Sequence, residues 1–389
     1  MDIGLFQQAG HNTNWNIETF QNDDCGEGII FSPADYKKTQ LEKLDAEILS
    51  ASLFDPQYYL PSSQRKKLSS YPFFPEAITD GFSTTDFHAQ AHESANQCLQ
   101  FQIDCDFRYL VIPTRFHSQM YSDYFDQHEQ LTVVPFLEQL EALSPSKPVY
   151  LGLAITSHMV SDAGFRKQLL NWVTKFPDLD GIYITFSDER ETKQIQAADD
   201  LKNRCEFLEE AKAADLEILV GYCNTEGLVY ACLGGLEVTY GAFENTRKFS
   251  IDRYVVNESA QRGPAPRIYL PGLFNWIRLN EAKNIRENLP ELWSKIYRPT
   301  SFGDKALDAL VEPNFNSPNL YKHHFCVYAD QFDELSGRTK AERKEYLIEC
   351  LNAARAHYQT ISSERILIDQ HGSNDHLEPW IKVLKGLNG

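Results

Sequence analysis

The chain predicts an α/β fold, a (β/α)8 TIM-like barrel with an irregular insertion after strand 7 and a C-terminal helical extension. Three observations lead there. From residue 28 onward, short runs of β-branched and aromatic residues alternate with amphipathic helical stretches. Those runs are almost continuously apolar, as parallel strands buried on both faces must be. They number eight, the count at which such a sheet closes on itself. A doubly wound open sheet is the runner-up. No GxGxxG or P-loop follows any of the runs, so a nucleotide-binding version lacks its fingerprint and no cofactor is expected.

Residues 1–27 read as an N-terminal extension. The barrel core is expected over 28–275, an irregular insertion or subdomain over 276–340, and a final barrel helix with a terminal cap over 341–389. "GIIFSP" is the first expected strand (28–32), and "ADYKKTQLEKLDAEILSA" an amphipathic helix with Leu41, Leu44, Ile48 and Leu49 on one side. "SLFDPQYYL" gives the second strand, 51–55. The Pro- and Ser-rich stretch behind it is an inserted loop. A helix near 86–103 precedes "RYLVIP" (108–113), and another, near 118–143, precedes "VYLGLAIT" (149–155). "FRKQLLNWVTKF" is a helix and "GIYITF" (181–186) a strand. A long helix over roughly 192–214 leads to "EILVGYC" (217–223), the short helix "EGLVYACLG", and "LEVTYGAF" (236–241). "RIYLPGLF" (267–272) is the eighth expected strand.

The 389 residues are 42% hydrophobic and 24% charged, an ordinary globular balance, with a net charge of -18. Free-standing nucleic-acid binders usually carry a basic surface, because phosphate contacts supply much of their affinity. Nucleic acid is therefore expected to bind only through local patches or a basic partner protein. The patches are Arg65, Lys66 and Lys67 in "SSQRKKLSS", and Arg247 and Lys248 (with Arg253) in "ENTRKFSIDR". Nothing in "MDIGLFQQAGHNTNWNIETF" resembles a secretory signal, and no run is long enough to span a membrane. The eight cysteines are scattered without a CxxC pair, so they are expected to be reduced and mostly buried, in a cytoplasmic protein.

Barrel enzymes place their chemistry at the C-terminal ends of the strands. Residues there include Asp55, Asp188 and Glu226, carboxylates of the kind that serve as acid, base or nucleophile in glycosyl-bond chemistry. Asp55 sits in "FDPQYY", where aromatic faces are at hand for a flat ligand. The competing role is an Asx-turn before Pro56. Asp188 beside Glu189, and Glu226 behind Thr225, equally suit the first turn of a helix. Gln57, Tyr58, Tyr222, Asn224 and Tyr240 are the expected substrate-binding residues. No metal site is expected. His323 and His324, near Cys326, are adjacent and diverge on any regular element. His88 and His92 have i, i+4 spacing without the Glu of HExxH.

Residues 28–275 resemble the tRNA-guanine transglycosylase family, (β/α)8 barrels that exchange a base at an N-glycosidic bond. "VGYCNTEGLVYACLGGLEVTYG" is similar in layout to the family's strand, short helix and nucleophile-bearing strand. "LDGIYITFSDER" is similar to the preceding strand and base-binding loop, and "SLFDPQYYL" to the strand ending in the family's second Asp. Late in the chain, "YKHHF" followed by a long helix is similar to the corresponding end of the family's fold. Tyr240 stands where the family has its nucleophilic Asp, and the zinc cluster of three cysteines and a histidine is absent. The resemblance implies action on a glycosidic or N-glycosidic bond, with base exchange in a nucleic acid as one form of it, and a small-molecule or nucleobase substrate. The alternative is a barrel without its catalytic pair, serving as a binding or assembly subunit with a protein partner or further copies of itself.

Overall fold

In the computed structural model, residues 2–61, 63, 65–74, 84–187, 190, 192–255 and 263–387 are described, with 84–89 as backbone alone. Eight parallel strands form a nearly closed barrel: β1 (Ile3–Gln8), β2 (Gly28–Phe31), β3 (Leu53–Phe54), β4 (Leu110–Ile112), β5 (Val149–Thr156), β6 (Gly181–Ser187), β7 (Glu217–Gly221) and β8 (Leu236–Gly241). The spatial order is β3-β2-β1-β8-β7-β6-β5-β4, so the seam lies between β3 and β4. Two backbone hydrogen bonds bracket it. Arg108 N donates to Ser52 O (2.9 Å) below, and Phe116 N to Tyr59 O (3.0 Å) above.

The (β/α)8 class holds, but two strand assignments need correction. Ile3–Gln8 lies inside the stretch expected to be an extension, yet it pairs with both β2 and β8 and is the first strand of the barrel. The expected eighth strand lies outside the barrel. Arg267–Leu270 (β9) pairs antiparallel with Asn275–Arg278 (β10), because Phe274 takes a left-handed backbone (φ 52°) and turns the chain straight back. The ring is thus complete at Gly241, and no insertion separates its seventh and eighth strands.

Helical segments also differ in detail. The stretch after β2 is two short helices, Lys38–Leu41 and Ala46–Ala51, broken where Asp45 is extended (φ −61°, ψ 139°). The region expected to be irregular carries helices Leu279–Asn288, Pro290–Ile296, Ser301–Leu307 and Pro318–Ser336. The last of these contacts β1 and the helix Asn14–Asp23, so it covers the barrel wall where Lys340–Ser363 was expected to. A capping box on Thr339 and Glu342 starts Lys340–Ser363, and Leu377–Gly386 packs against it.

Inward-facing residues fill the barrel. Phe6, Ile30, Leu53, Val111, Tyr150, Tyr183 and Leu219 form one buried cluster, with Tyr109 and Tyr150 stacked at 4.6 Å. Large rings need small neighbours. A Cβ on Gly221 would lie 2.7 Å from the Tyr183 ring, so only glycine lets Tyr183 cross β7. Above this layer the inner face turns polar, at Gln8 and Asp55. Below it stand Glu217 and Glu237, which accept from Tyr150 (2.6 Å) and Tyr109 (2.9 Å).

Candidate functional site at the carboxyl ends of the strands

Strand alternation sends Asp55 inward, two residues beyond Leu53. Its side chain is 2% exposed. Oδ1 accepts from Gln57 N at 3.0 Å, which is the Asx-turn expected before Pro56. Oδ2 accepts from the hydroxyls of Tyr59 (3.0 Å) and Tyr183 (3.4 Å). Burial raises the carboxyl to about 6, while the Gln57 and Tyr59 bonds, the charge of Arg253 and the Tyr183 bond pull it back.

Around it lies a buried polar cage. Gln57 Nε2 donates to Tyr222 Oη (2.8 Å), which meets Tyr254 Oη at 3.1 Å. Gln8 Oε1 accepts from Tyr183 Oη (3.3 Å) and from Tyr222 N (3.4 Å). Two amide atoms in this cage, Gln8 Nε2 and Gln57 Oε1, have no partner. Such buried orphans are rare, because each forfeits the hydration it had in water. Gln57 and Tyr222 also hold left-handed backbones, φ 56° and 55°, which cluster at functional sites. The cage is roofed by Tyr59, whose ring packs on Phe249 (4.8 Å) and Tyr254 (5.5 Å).

Glu226 occupies a separate place. It is 2% exposed and is itself the residue before the helix Gly227–Ala231, without a side-chain capping bond. Thr225, the expected cap, instead accepts from Gln194 Nε2 (3.1 Å). Glu226 Oε1 lies 3.6 Å from Arg190 Nη2, and Oε2 has no partner. The space beside it measures about 10 Å³, too small for more than one water. Asp188 lies outside the described residues, as does Glu189.

Among the expected substrate-binding residues, Gln57 and Tyr222 reach the Asp55 cage. Tyr58 turns the other way: its hydroxyl bonds Phe73 O and Ser94 Oγ, both at 2.8 Å, and its ring packs on Phe74 and Phe136. Tyr59 takes the place expected of it. Asn224 braces the neighbouring loop, donating to Lys193 O at 2.8 Å. Tyr240 must be removed from the site. It faces out of the barrel, donating to Cys25 O (3.2 Å) and stacking on Tyr328 of the Pro318–Ser336 helix (5.0 Å). An outward position on β8 cannot present a nucleophile to the mouth.

The basic patches also separate. Lys66 is exposed and Arg65 half-buried, while Lys67 bonds the backbone oxygen of Asp35. Arg247 and Arg253 are 5% and 7% exposed, so the second stretch is not a solvated basic surface. Arg253 pairs with Asp35, and Lys248 donates to Arg190 O at 2.5 Å. His323 is a structural histidine, Nδ1 with Thr300 Oγ1 (2.8 Å) and Nε2 with Tyr269 O (3.0 Å), and burial lowers it to about 4. His92 pairs with Glu138 at 3.4 Å, and the side chain of His88 lies outside the described residues. Among the described residues no three His, Cys, Asp or Glu are grouped to hold a metal ion, and no helix is long and apolar enough to cross a membrane. All eight cysteines are free thiols, six of them buried.

Gln8, Tyr183, Tyr254 and Arg253 were not expected at the site. Gln8 would have followed from reading Ile3–Gln8 as a strand, since it then stands at a strand's carboxyl end. Tyr183 sits inside a continuous apolar run, where sequence does not tell inner from outer face. No protein-family model matches the chain, and no curated protein matches it either.

Proposed function

We propose that this barrel acts on a glycosidic or N-glycosidic bond at the C-terminal mouth, with Asp55 as the proton-transferring carboxyl. The observation that carries the reading is the Asp55 cage: a carboxyl raised to about 6 beside two orphaned amides, Gln8 Nε2 and Gln57 Oε1. A proton donor near its midpoint can protonate a departing oxygen or nitrogen and recover the proton from water. A donor and an acceptor in fixed positions beside it suit the edge of a planar heterocycle, which makes base exchange or release the natural form of the reaction. The transglycosylase resemblance of residues 28–275 points the same way. The second carboxylate is then Asp188, since Glu226 sits apart from the cage beside a space of only about 10 Å³.

One observation favours the other reading, a binding or assembly subunit without catalysis. Asp55 is 2% exposed beneath Tyr59, and its Asx-turn bond alone explains an aspartate before Pro56. A single experiment separates the two. The purified chain is incubated with nucleoside 5′-monophosphates, oligonucleotides and aryl glycosides, and released base or sugar is followed by chromatography. Catalysis by Asp55 gives turnover that falls by at least about a hundredfold in Asp55→Asn, with an unchanged circular dichroism spectrum. No turnover on any of these substrates, or equal rates for both proteins, leaves the subunit reading standing.

A further inference from the structure

A cleft opens at the same end of the barrel, away from the Asp55 cage. It lies among the segments that follow β1, β6 and β8, with the β9–β10 hairpin and the residues before the Pro318–Ser336 helix as its far wall. Its volume is about 590 Å³, within the range of small-molecule sites.

The wall chemistry is one-sided. Arg247 is 5% exposed and lies over Trp276, its guanidinium carbon 4.0 Å from the ring centroid. Neither Nε nor Nη1 of Arg247 has an acceptor, and neither does the indole Nε1 of Trp276, itself 2% exposed. All three orphaned atoms are donors, and both side chains line the cleft. Lys193 and Arg267 add two more cations. Arg267 is held by Asp369 (2.9 Å), a 13% exposed carboxylate. Lys193 pairs with Glu244, but that carboxylate is 59% exposed, where water weakens its hold. Burial, then the charges of Arg247 and Arg267, lower Lys193 to about 7. The buried Glu226 carboxylate also acts on Arg247 but is shared with Arg190 at 3.6 Å, so the charge of Arg247 is only partly offset. A buried guanidinium with unused donors is costly unless an anion completes it.

We infer that this cleft binds a phosphomonoester carried on a flat ring, of which a nucleoside monophosphate is the simplest example. A phosphate monoester carries about −1.5 to −2 charges at pH 7, which suits the Arg247 guanidinium and holds the proton on Lys193 better than the single charge of a carboxylate does. The phosphate meets Arg247 and Lys193, and the ring lies against Phe243, Trp276 and Tyr321. This site stands on its own residues, whether or not Asp55 is catalytic.

The test is calorimetric titration of the full chain at pH 7 and low salt, with the four common ribonucleoside 5′-monophosphates, the matching nucleosides and inorganic phosphate. At least one monophosphate should bind saturably below millimolar concentration, and at least tenfold more tightly than its nucleoside or inorganic phosphate. Arg247→Met should weaken that monophosphate at least tenfold and leave the nucleoside unchanged. The ligand-free variant should melt no lower than the parent, since it loses a buried charge that is only partly offset. Should Arg247→Met fail to fold, Lys193→Gln carries the same expectation for affinity. Monophosphates that bind no better than nucleosides, or binding indifferent to the substitutions at Arg247 and Lys193, would overturn the inference.

Discussion

Gln57 Nε2 donates to the Tyr222 hydroxyl at 2.8 Å, and both residues hold a positive φ, 56° and 55°. One follows β3 and the other β7, so the bond joins distant parts of the barrel rim across its mouth. Each left-handed backbone costs on the order of 1 kcal/mol or more for a residue with a side chain. Such strain persists because the surroundings fix it. Here Asp55 accepts from Gln57 N, Gln8 accepts from Tyr222 N, and Tyr254 meets the Tyr222 hydroxyl.

The pair should therefore be energetically coupled. Tyr222→Phe removes the acceptor for Gln57 and the partner of Tyr254, and should cost about 1–2 kcal/mol in urea unfolding. Gln57→Ala should cost a similar amount. The double variant should be less unstable than the sum by roughly 0.5 kcal/mol or more, as for residues in one hydrogen-bond network. Strict additivity would mean that the bond contributes nothing to the cage.

At the opposite end of the barrel, Glu237 should make stability depend on pH. Burial raises it to about 7, with Glu27 and Glu217 adding to the rise and Tyr109 and Arg108 opposing it. The folded state thus holds a proton that the unfolded chain, with a value near 4.5, releases. The stabilisation is complete below about pH 4.5 and is lost as pH climbs through about 7. Glu237→Gln keeps an acceptor for Tyr109 and cannot ionise. Its melting temperature should exceed the parent's at pH 8, and the gain should vanish near pH 5. A gain of equal size at both values would point to packing instead of charge.

Gly221 offers a steric test of the barrel interior. The Tyr183 ring lies directly against it, and an added methyl would stand 2.7 Å from that ring. Tyr183 is 1% exposed and bonded to Gln8 and Asp55, so it has little room to yield. Gly221→Ala should cost about 1–3 kcal/mol, the usual scale of overpacking. The Asp55 midpoint, read by carboxyl NMR, should move with it, because Tyr183 is one of its donors. An unchanged urea midpoint and an unchanged titration would show that the ring swings aside freely.

The isolated chain should bind nucleic acid weakly. Its net charge is -18, and Arg247 and Arg253, which the sequence offers as a surface patch, are buried. Arg65 and Lys66 remain as surface cations of the other patch. Filter binding of a short duplex near physiological salt should show a Kd above about 10 µM, rising steeply with added salt. Tight binding without a second, basic protein would contradict this.

Which elements were legible follows from how each residue meets its obligations. β5 to β8 are nearly continuous apolar runs, as burial on both faces requires, broken only by glutamates at the lower ends of β7 and β8. β1 hides because it ends in Gln7 and Gln8, which look like a loop. Gln7 is fully buried, but Asn16 donates to its Oε1 (2.8 Å) and it donates to Cys25 O (2.7 Å). β9 misleads for the opposite reason. It is as apolar as a barrel strand, and nothing in periodicity says that its partner lies only a few residues ahead. At the site, Asp55 stood out as a carboxyl among aromatics. Tyr58 and Tyr59 were interchangeable until the backbone chose which ring faced the mouth. Lys193, Arg247 and Trp276 come from three distant segments, so no local pattern could join them.

The strongest consequence of the strand order concerns the first nine residues. β1 lies between β2 and β8, paired to Gly28–Ile30 on one side and to the whole of Leu236–Gly241 on the other. Its inner face contributes Phe6 to the barrel core and Gln8 to the Asp55 cage. Its outer face contributes Ile3 and Leu5 to the layer beneath the helices. Removing it exposes two unpaired strand edges and a hole in both layers. Losses on that scale exceed the roughly 5–15 kcal/mol by which a protein is stable. A chain beginning at residue 10 should therefore lack cooperative thermal unfolding and bind a hydrophobic dye, as a chain without fixed packing does. A true extension would be dispensable, and the truncated chain would then melt within a few degrees of the parent. Adding the first nine residues back as a peptide should restore a cooperative transition in proportion to its concentration, by mass action. If the truncated chain folds unaided, the barrel does not depend on β1 to join β2 to β8.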